Sequence, residues 1–183
     1  MRKTILKYGL ISGLLCAALI ALATPLENRI SFDNDYYIGY TVIVLSFLLV
    51  FFGIRSYREN QSGGQITFAR AFVVGISITL ITCVFYVLTW EIIYFNFMHD
   101  FMDKYAAYLV QKAHASGMSG AALQAQLAEI QKQKELYNNI FYNLAITFIE
   151  PFPVGLLITL LSAGILRKRR REQLGQMPLP AEN

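Results

Sequence analysis

Two carboxylates sit in or at the edge of apolar stretches that carry no other charge, and they are the side chains best placed to do chemistry. Glu91 follows Trp90 at the end of one stretch, and Glu150 interrupts another directly before Pro151 and Pro153. An unpaired charge near mid-bilayer costs at least about 2.5 kcal/mol, so an acid kept there is paired, protonated or occupied in function. Proline lacks an amide proton and displaces the carbonyl four residues back, so Thr147 and Ile149 should lose helical partners and the helix should kink beside Glu150. A carboxylate next to freed carbonyls resembles the broken-helix ion sites of transporters. The expected intramembrane polar site is therefore Trp90, Glu91, Tyr94, Glu150, Pro151 and Pro153, with the two acids sharing it and one held neutral by the other. The plainer alternative is that each acid reaches interfacial water or a tyrosine hydroxyl and merely positions its helix.

A second string, His99, Asp100 and Asp103, places a histidine and an aspartate one helical turn apart. Two such ligands are too few to specify a metal, so the string reads as a solvated helix start, with no metal and no cofactor expected. No nucleophile elbow, zinc-helix, dinucleotide or phosphate-loop motif occurs, and the chain is expected not to be an enzyme. Cys16 and Cys83 lie inside apolar runs, where a thiol behaves as a small hydrophobe.

The elements that must carry these groups follow from composition. The chain has 183 residues, 55% of them hydrophobic and only 15% charged, with a formal charge of +4. Soluble domains carry about 25% charged residues, so this balance is displaced toward lipid. The basic residues flank apolar runs instead of forming a basic face, which argues against a nucleic-acid partner. Tyr8 to Leu26, Tyr36 to Ile54, Ala71 to Trp90 and Leu136 to Leu166 each approach or exceed the roughly 20 residues that a helix needs to cross about 30 Å of hydrocarbon. Lipid offers no partner to a bare backbone, so these segments must be helices. The fold class is all-α: a four-helix integral membrane bundle, a single domain over residues 1–171, with helices near 5–25, 36–55, 68–96 and 138–166.

The first stretch has a rival reading, since Arg2, Lys3 and Lys7 precede an apolar run ending in Ala21-Leu22-Ala23, which has the form of a signal-peptidase site. Gly9, Gly13, Ala17 and Ala21, each four apart, argue for retention, because such a small-residue stripe lets helices approach closely in lipid. Eleven of the 16 basic residues then fall on one side of a four-pass bundle. They include Arg55, Arg58, Arg70 and the run Arg167, Lys168, Arg169, Arg170 and Arg171, which also suits anionic headgroups and stops the last helix. Both termini are expected to be cytoplasmic. Glu27, Asp33 and Asp35 mark a short outer loop, and Tyr36, Tyr37, Tyr40, Trp90, Tyr94, Tyr137 and Tyr142 an aromatic belt at the same interface.

Residues 55–64 read as a polar inner turn with Gly63 and Gly64, and Thr67 as the cap of the next helix. The outer loop of about 45 residues is too long to be structureless. Phe101, Tyr105, Tyr108 and Leu109, and then Leu123, Leu127, Ile130 and Tyr137, recur at helical spacing around the breaker Ser116 to Gly120. A helical hairpin over about 99–137 is expected, its arms continuing the third and fourth helices and its apolar stripe packing arm on arm or meeting a partner. Residues 172–183 are expected to form a disordered cytoplasmic tail.

Several strings recur together in one order: Phe51-Phe52-Gly53-Ile54-Arg55-Ser56-Tyr57-Arg58, Gly64-Gln65-Ile66-Thr67-Phe68, Tyr86 to Tyr94 with Trp90-Glu91 at its centre, and Glu150-Pro151-Phe152-Pro153-Val154-Gly155-Leu156. On these the chain resembles, over about residues 4–170, the bacterial membrane family catalogued as domain of unknown function 4199. The resemblance implies a small multi-pass inner-membrane protein with a long loop between its last two helices, and no activity or catalytic residue. Two functions are expected. One is a non-enzymatic scaffold or accessory subunit, in the bilayer, touching a membrane protein partner or its own copies through the hairpin and the Gly9 stripe. The other is a small oligomeric transporter, or an ion- or lipid-handling protein, built on Glu91 and Glu150.

Overall fold

The computed structural model describes residues 1–27 and 32–168. Every regular element among them is helical: α1 (Arg2–Glu27), α2 (Phe32–Gln61), α3 (Phe68–Phe97), α4 (Phe101–Ala115), α5 (Gly120–Tyr137), α6 (Ile140–Ile149) and α7 (Pro151–Leu166). Four segments are long and apolar enough to cross a membrane: Arg2–Pro25, Tyr36–Gln61, Phe68–Phe97 and the broken pair Ile140–Leu166. Large apolar side chains point outward all round the bundle, with Leu14 59%, Ile165 72% and Phe141 80% exposed. That surface would be unstable in water and is matched to lipid. The four-helix membrane bundle is thus the fold.

α3 is its axis. Half of its apolar window is buried within the protein, against 22% for the α6–α7 span. α1 and α7 pack on opposite parts of α3, and α2 touches all three. Small residues set these approaches: a Cβ on Gly9 would lie 2.8 Å from Ile81, on Gly13 2.5 Å from Phe85, and on Gly155 2.6 Å from Thr79. Close backbone contact of this kind, with hydroxyls as interhelical glue, replaces the hydrophobic drive that lipid removes. Thr82 donates to the Ser12 hydroxyl at 2.8 Å and Ser12 to the Ser46 carbonyl at 2.8 Å, tying α3 to α1 and α2. Thr79 and Thr159 share a hydrogen bond of 2.9 Å between α3 and α7.

The end of the bundle that carries the start of α1 also carries the end of α7. Thr4 meets Gln61, Arg58 donates to the Leu166 carbonyl at 3.3 Å, and Ile66 and Lys168 exchange backbone hydrogen bonds of 3.1 and 2.9 Å in an antiparallel bridge. Thr67 caps α3 by accepting from the Arg70 amide. Positive φ at Gly63 (62°) and Gly64 (77°) turns the chain between α2 and α3.

Several boundaries differ from expectation. α2 runs to Gln61, beyond residue 55, because Arg55 pairs with Glu59 at 3.0 Å and Asn60 bonds back to Ser56, so the polar stretch continues the helix. Asp33 and Asp35 belong to the first turn of α2, and Glu27 to the end of α1, leaving only 28–31 between the helices. The hairpin arms are helices in their own right: Met98 to Asp100 separate α4 from α3, and Asn138 and Asn139 separate α5 from α6. Asn139 caps α6 through its side chain. The last span divides at Glu150 into α6 and α7. Arg29, Arg169, Arg170, Arg171 and the tail 172–183 lie outside the described residues.

Candidate functional site

Helical spacing on α3 lines up Thr82, Tyr86 and Trp90 on one face, directed into the bundle. Tyr86 is buried, and its hydroxyl donates to Glu150 Oε2 at 2.8 Å. Glu150 stands at the junction of α6 and α7, where Pro151 occupies the first position of α7 and carries no amide proton to satisfy. The break therefore sets the acid at a point of contact between α3 and the last span. Glu150 itself is exposed on the protein surface at the level of the apolar span. Tyr40 of α2 is within its electrostatic reach, and its ring lies tilted against that of Tyr36 with centroids 4.5 Å apart.

Tyr86 also borders a cleft of about 50 Å³ between α1, α2 and α3, lined by Ile20, Ala23, Ile38, Gly39, Val42, Tyr86 and Trp90. That is room for a few water-sized groups. Its walls are apolar apart from the phenol and the indole, so it is suited to the junction of a polar head with hydrocarbon. Gly39 leaves the cleft open, since a Cβ there would meet nothing within 4 Å.

Glu91 is not part of this arrangement. It lies 140° round α3 from Tyr86 by helical geometry, on the face of Val87, Tyr94 and Met98, all of them buried. Both of its carboxyl oxygens are shielded by protein and neither has a hydrogen-bond partner. The two acids thus do not share a hydrogen-bonded site, and the expectation that joined them is corrected: five residues along a helix separate Tyr86 from Glu91 by more than a third of a turn. Trp90, besides lining the cleft, and Tyr94 meet the hairpin. Trp90 Nε1 donates to the Tyr137 hydroxyl at 2.9 Å, and the Tyr94 ring meets Tyr137 at 5.4 Å and Phe101 at 6.5 Å. Burial pushes the Tyr137 phenol up to about 12, although the Trp90 and Thr147 hydrogen bonds act the other way.

The remaining expected residues have structural partners. Gly9 and Gly13 seat α1 on α3, Ala17 is half-buried and Ala21 exposed. Pro151 is buried, while Pro153 is exposed. Arg58 reaches the carbonyl end of α7, Arg55 pairs with Glu59, Lys168 forms the bridge to Ile66, and Arg167 closes α7 through its amide. In the His99 string, Asp100 pairs with Lys104 at 2.7 Å and Asp103 with Lys134 at 2.5 Å. The Lys104 ammonium holds the Asp100 carboxyl below the usual range. The hairpin packs arm on arm through Ala113 and Ile130, with Leu109, Leu123 and Leu127 half-buried.

Sequence reasoning placed Tyr137 in the aromatic belt and the hairpin stripe and offered a tyrosine hydroxyl as a partner for each acid, but it did not single out Tyr86 as the partner of Glu150. Tyr86 was legible as the residue one turn before Trp90 on the face of Thr82, but nothing local indicates that its partner lies 64 residues on.

Compared with known proteins, residues 7–168 match the family described as Protein of unknown function (DUF4199). No curated protein and no solved structure matches the chain.

Proposed function

This chain belongs to the DUF4199 family of proteins of unknown function, and from that premise we propose that it is a non-enzymatic protein of a bacterial inner membrane that holds an amphiphile at Tyr86 and Glu150. The observation that carries this reading is the 2.8 Å bond from Tyr86, a wall of the cleft, to a carboxylate facing lipid at a helix break. The polar head sits at the phenol and carboxylate, and the tail lies along Ile20, Ala23, Ile38 and Val42. Both termini are cytoplasmic, which the distribution of arginine and lysine supports, so the site faces the outer leaflet. The cleft has room for only a few water-sized groups between mostly apolar walls, which suits a segment of an acyl chain beside the phenol better than a hydrated solute, so lipid handling is favoured over conduction. The features behind the scaffold reading are used inside the chain: Gly9 and Gly13 seat α1 on α3, and the hairpin arms pack on each other.

The experiment is native mass spectrometry of the protein released in lipid particles from its own membrane. A bound amphiphile is expected on the wild type and should be lost from Glu150→Gln, from Tyr86→Phe and from Gly39→Val, the last adding bulk to the cleft from a position where a Cβ meets nothing within 4 Å. An unchanged bound complement in all three variants would overturn the proposal. A stoichiometric partner protein, with no amphiphile, would put the scaffold reading in its place.

A further inference from the structure

The Glu91 carboxyl is left unexplained by the site above. Its two oxygens are buried without a donor, beside the patch where the base of the hairpin docks on α3 through Trp90, Tyr94, Phe101 and Tyr137. A buried carboxylate with no partner costs far more than a buried neutral acid, because the ionised group loses its hydration and gains nothing in return. The charged groups round this junction offer no compensation. On α4, Asp100 is paired with Lys104 and Asp103 with Lys134 of α5. Tyr94 on α3, Tyr137 on α5 and Tyr142 on α6 carry no positive charge, and His99, in the link from α3 to α4, is exposed.

We propose that Glu91 is a proton-binding site closed by the outer hairpin, so that docking of the hairpin base on α3 and uptake of one proton are a single event. With the hairpin docked, Glu91 carries its proton. Ionisation requires water, and water reaches the carboxyl only when the base of α4 and the α5–α6 junction lift from α3. The sign follows from linkage: the docked form binds more protons, so lower pH favours docking and higher pH favours release. This inference stands apart from the Tyr86–Glu150 reading, since it concerns another face of α3 and needs no amphiphile.

Hydrogen exchange of the protein in lipid nanodiscs, corrected for intrinsic exchange rates, tests it between pH 5 and pH 8.5. Peptides covering 98–110 and 130–140 should lose protection by at least about tenfold across that range in the wild type, about 1.4 kcal/mol of docking free energy. Glu91→Gln, an isosteric stand-in for the neutral acid, should keep them protected throughout, while His99→Asn should retain the wild-type pH dependence. Protection that does not change with pH in the wild type would overturn the proposal, as would the same pH dependence in Glu91→Gln or its loss in His99→Asn. Infrared difference spectra give a readout independent of motion: a protonated-carboxyl carbonyl band present at pH 6 in the wild type and missing in Glu91→Gln. If that band is the same in both proteins, Glu91 is not the proton site.

Discussion

Alanine at position 155 adds one methyl group at a tightly closed contact between α7 and the rest of the bundle. That carbon would lie 2.6 Å from Thr79 Cγ2 and 2.8 Å from two ring carbons of Phe47. Neither neighbour is able to retreat, because Phe47 is 1% exposed and Thr79 is fully buried with its hydroxyl bonded to Thr159 at 2.9 Å. Ordinary carbon contacts need about 3.5 Å or more, so α7 must move outward by the better part of an ångström. Overpacking on this scale costs about 1–3 kcal/mol. Against it stands the preference of helices for alanine over glycine, about 1 kcal/mol. The net expectation for Gly155→Ala is a loss of about 0–2 kcal/mol, and more for Gly155→Val. The control lies nine residues on: a Cβ on Gly164 meets nothing within 4 Å, so Gly164→Ala should be neutral or gain up to about 1 kcal/mol. Reversible unfolding in mixed micelles, read by circular dichroism, measures both variants on one scale. Equal stability of the two alanine variants, or a more stable Gly155→Ala, would refute the close seating of α7 on α3 and α2.

Three further outcomes follow from contacts described above. Ile130→Ala should loosen the hairpin by about 2–4 kcal/mol without weakening α1 to α3, seen as faster amide exchange confined to residues 101–137. Thr82→Val removes the hydroxyl that bridges to Ser12 and should cost only about 0.5–1.5 kcal/mol, the range for interhelical hydrogen bonds in bilayers, measured by the same unfolding assay. Tyr137 gives a pH signature: its phenol stays neutral in the folded state up to about 12 but ionises near 10 when released. Its contribution is therefore intact below pH 10 and is lost as the pH rises from 10 toward 12. The ultraviolet tyrosinate difference between wild type and Tyr137→Phe should show that high midpoint, and a midpoint near 10 would place Tyr137 outside the buried cluster.

Four spanning helices were legible because length and charge exclusion in hydrocarbon leave so little choice of structure. The break at Glu150 was legible for a local reason, the two prolines, and the Thr67 cap for another. What escaped was long-range. Helical spacing showed that Gly9 and Gly13 share a stripe, but only the assembled bundle reveals that Ile81 and Phe85 fill it. The same holds for the acids. Counting residues along each helix set Glu91 and Glu150 at similar depth, but depth alone does not give two acids a shared hydrogen bond. Rotation about α3 decides the matter, since Tyr86 presents one face to Glu150 while Glu91 occupies another. Helix ends were misjudged where polar residues pair along one helix, as Arg55 and Glu59 do, since such pairs extend a helix beyond the hydrocarbon.

The seat of α7 bears on the order in which the membrane receives this chain. α1, α2 and α3 are neighbours in sequence and in space, whereas α7 reaches its place only after the hairpin has been made. Until then Thr79 and Phe47 border an unfilled groove, with the Thr79 hydroxyl waiting for Thr159 and facing lipid that offers it nothing. A three-helix intermediate carrying one polar notch is the expected product of early synthesis. Gly155 admits α7 to that notch, and the Ile66–Lys168 bridge latches the newcomer at its far end. A chain halted after Phe97 should therefore insert and yet remain a substrate for membrane quality control, through the Thr79 and Tyr86 hydroxyls left without Thr159 and Glu150 rather than through any unfolded helix.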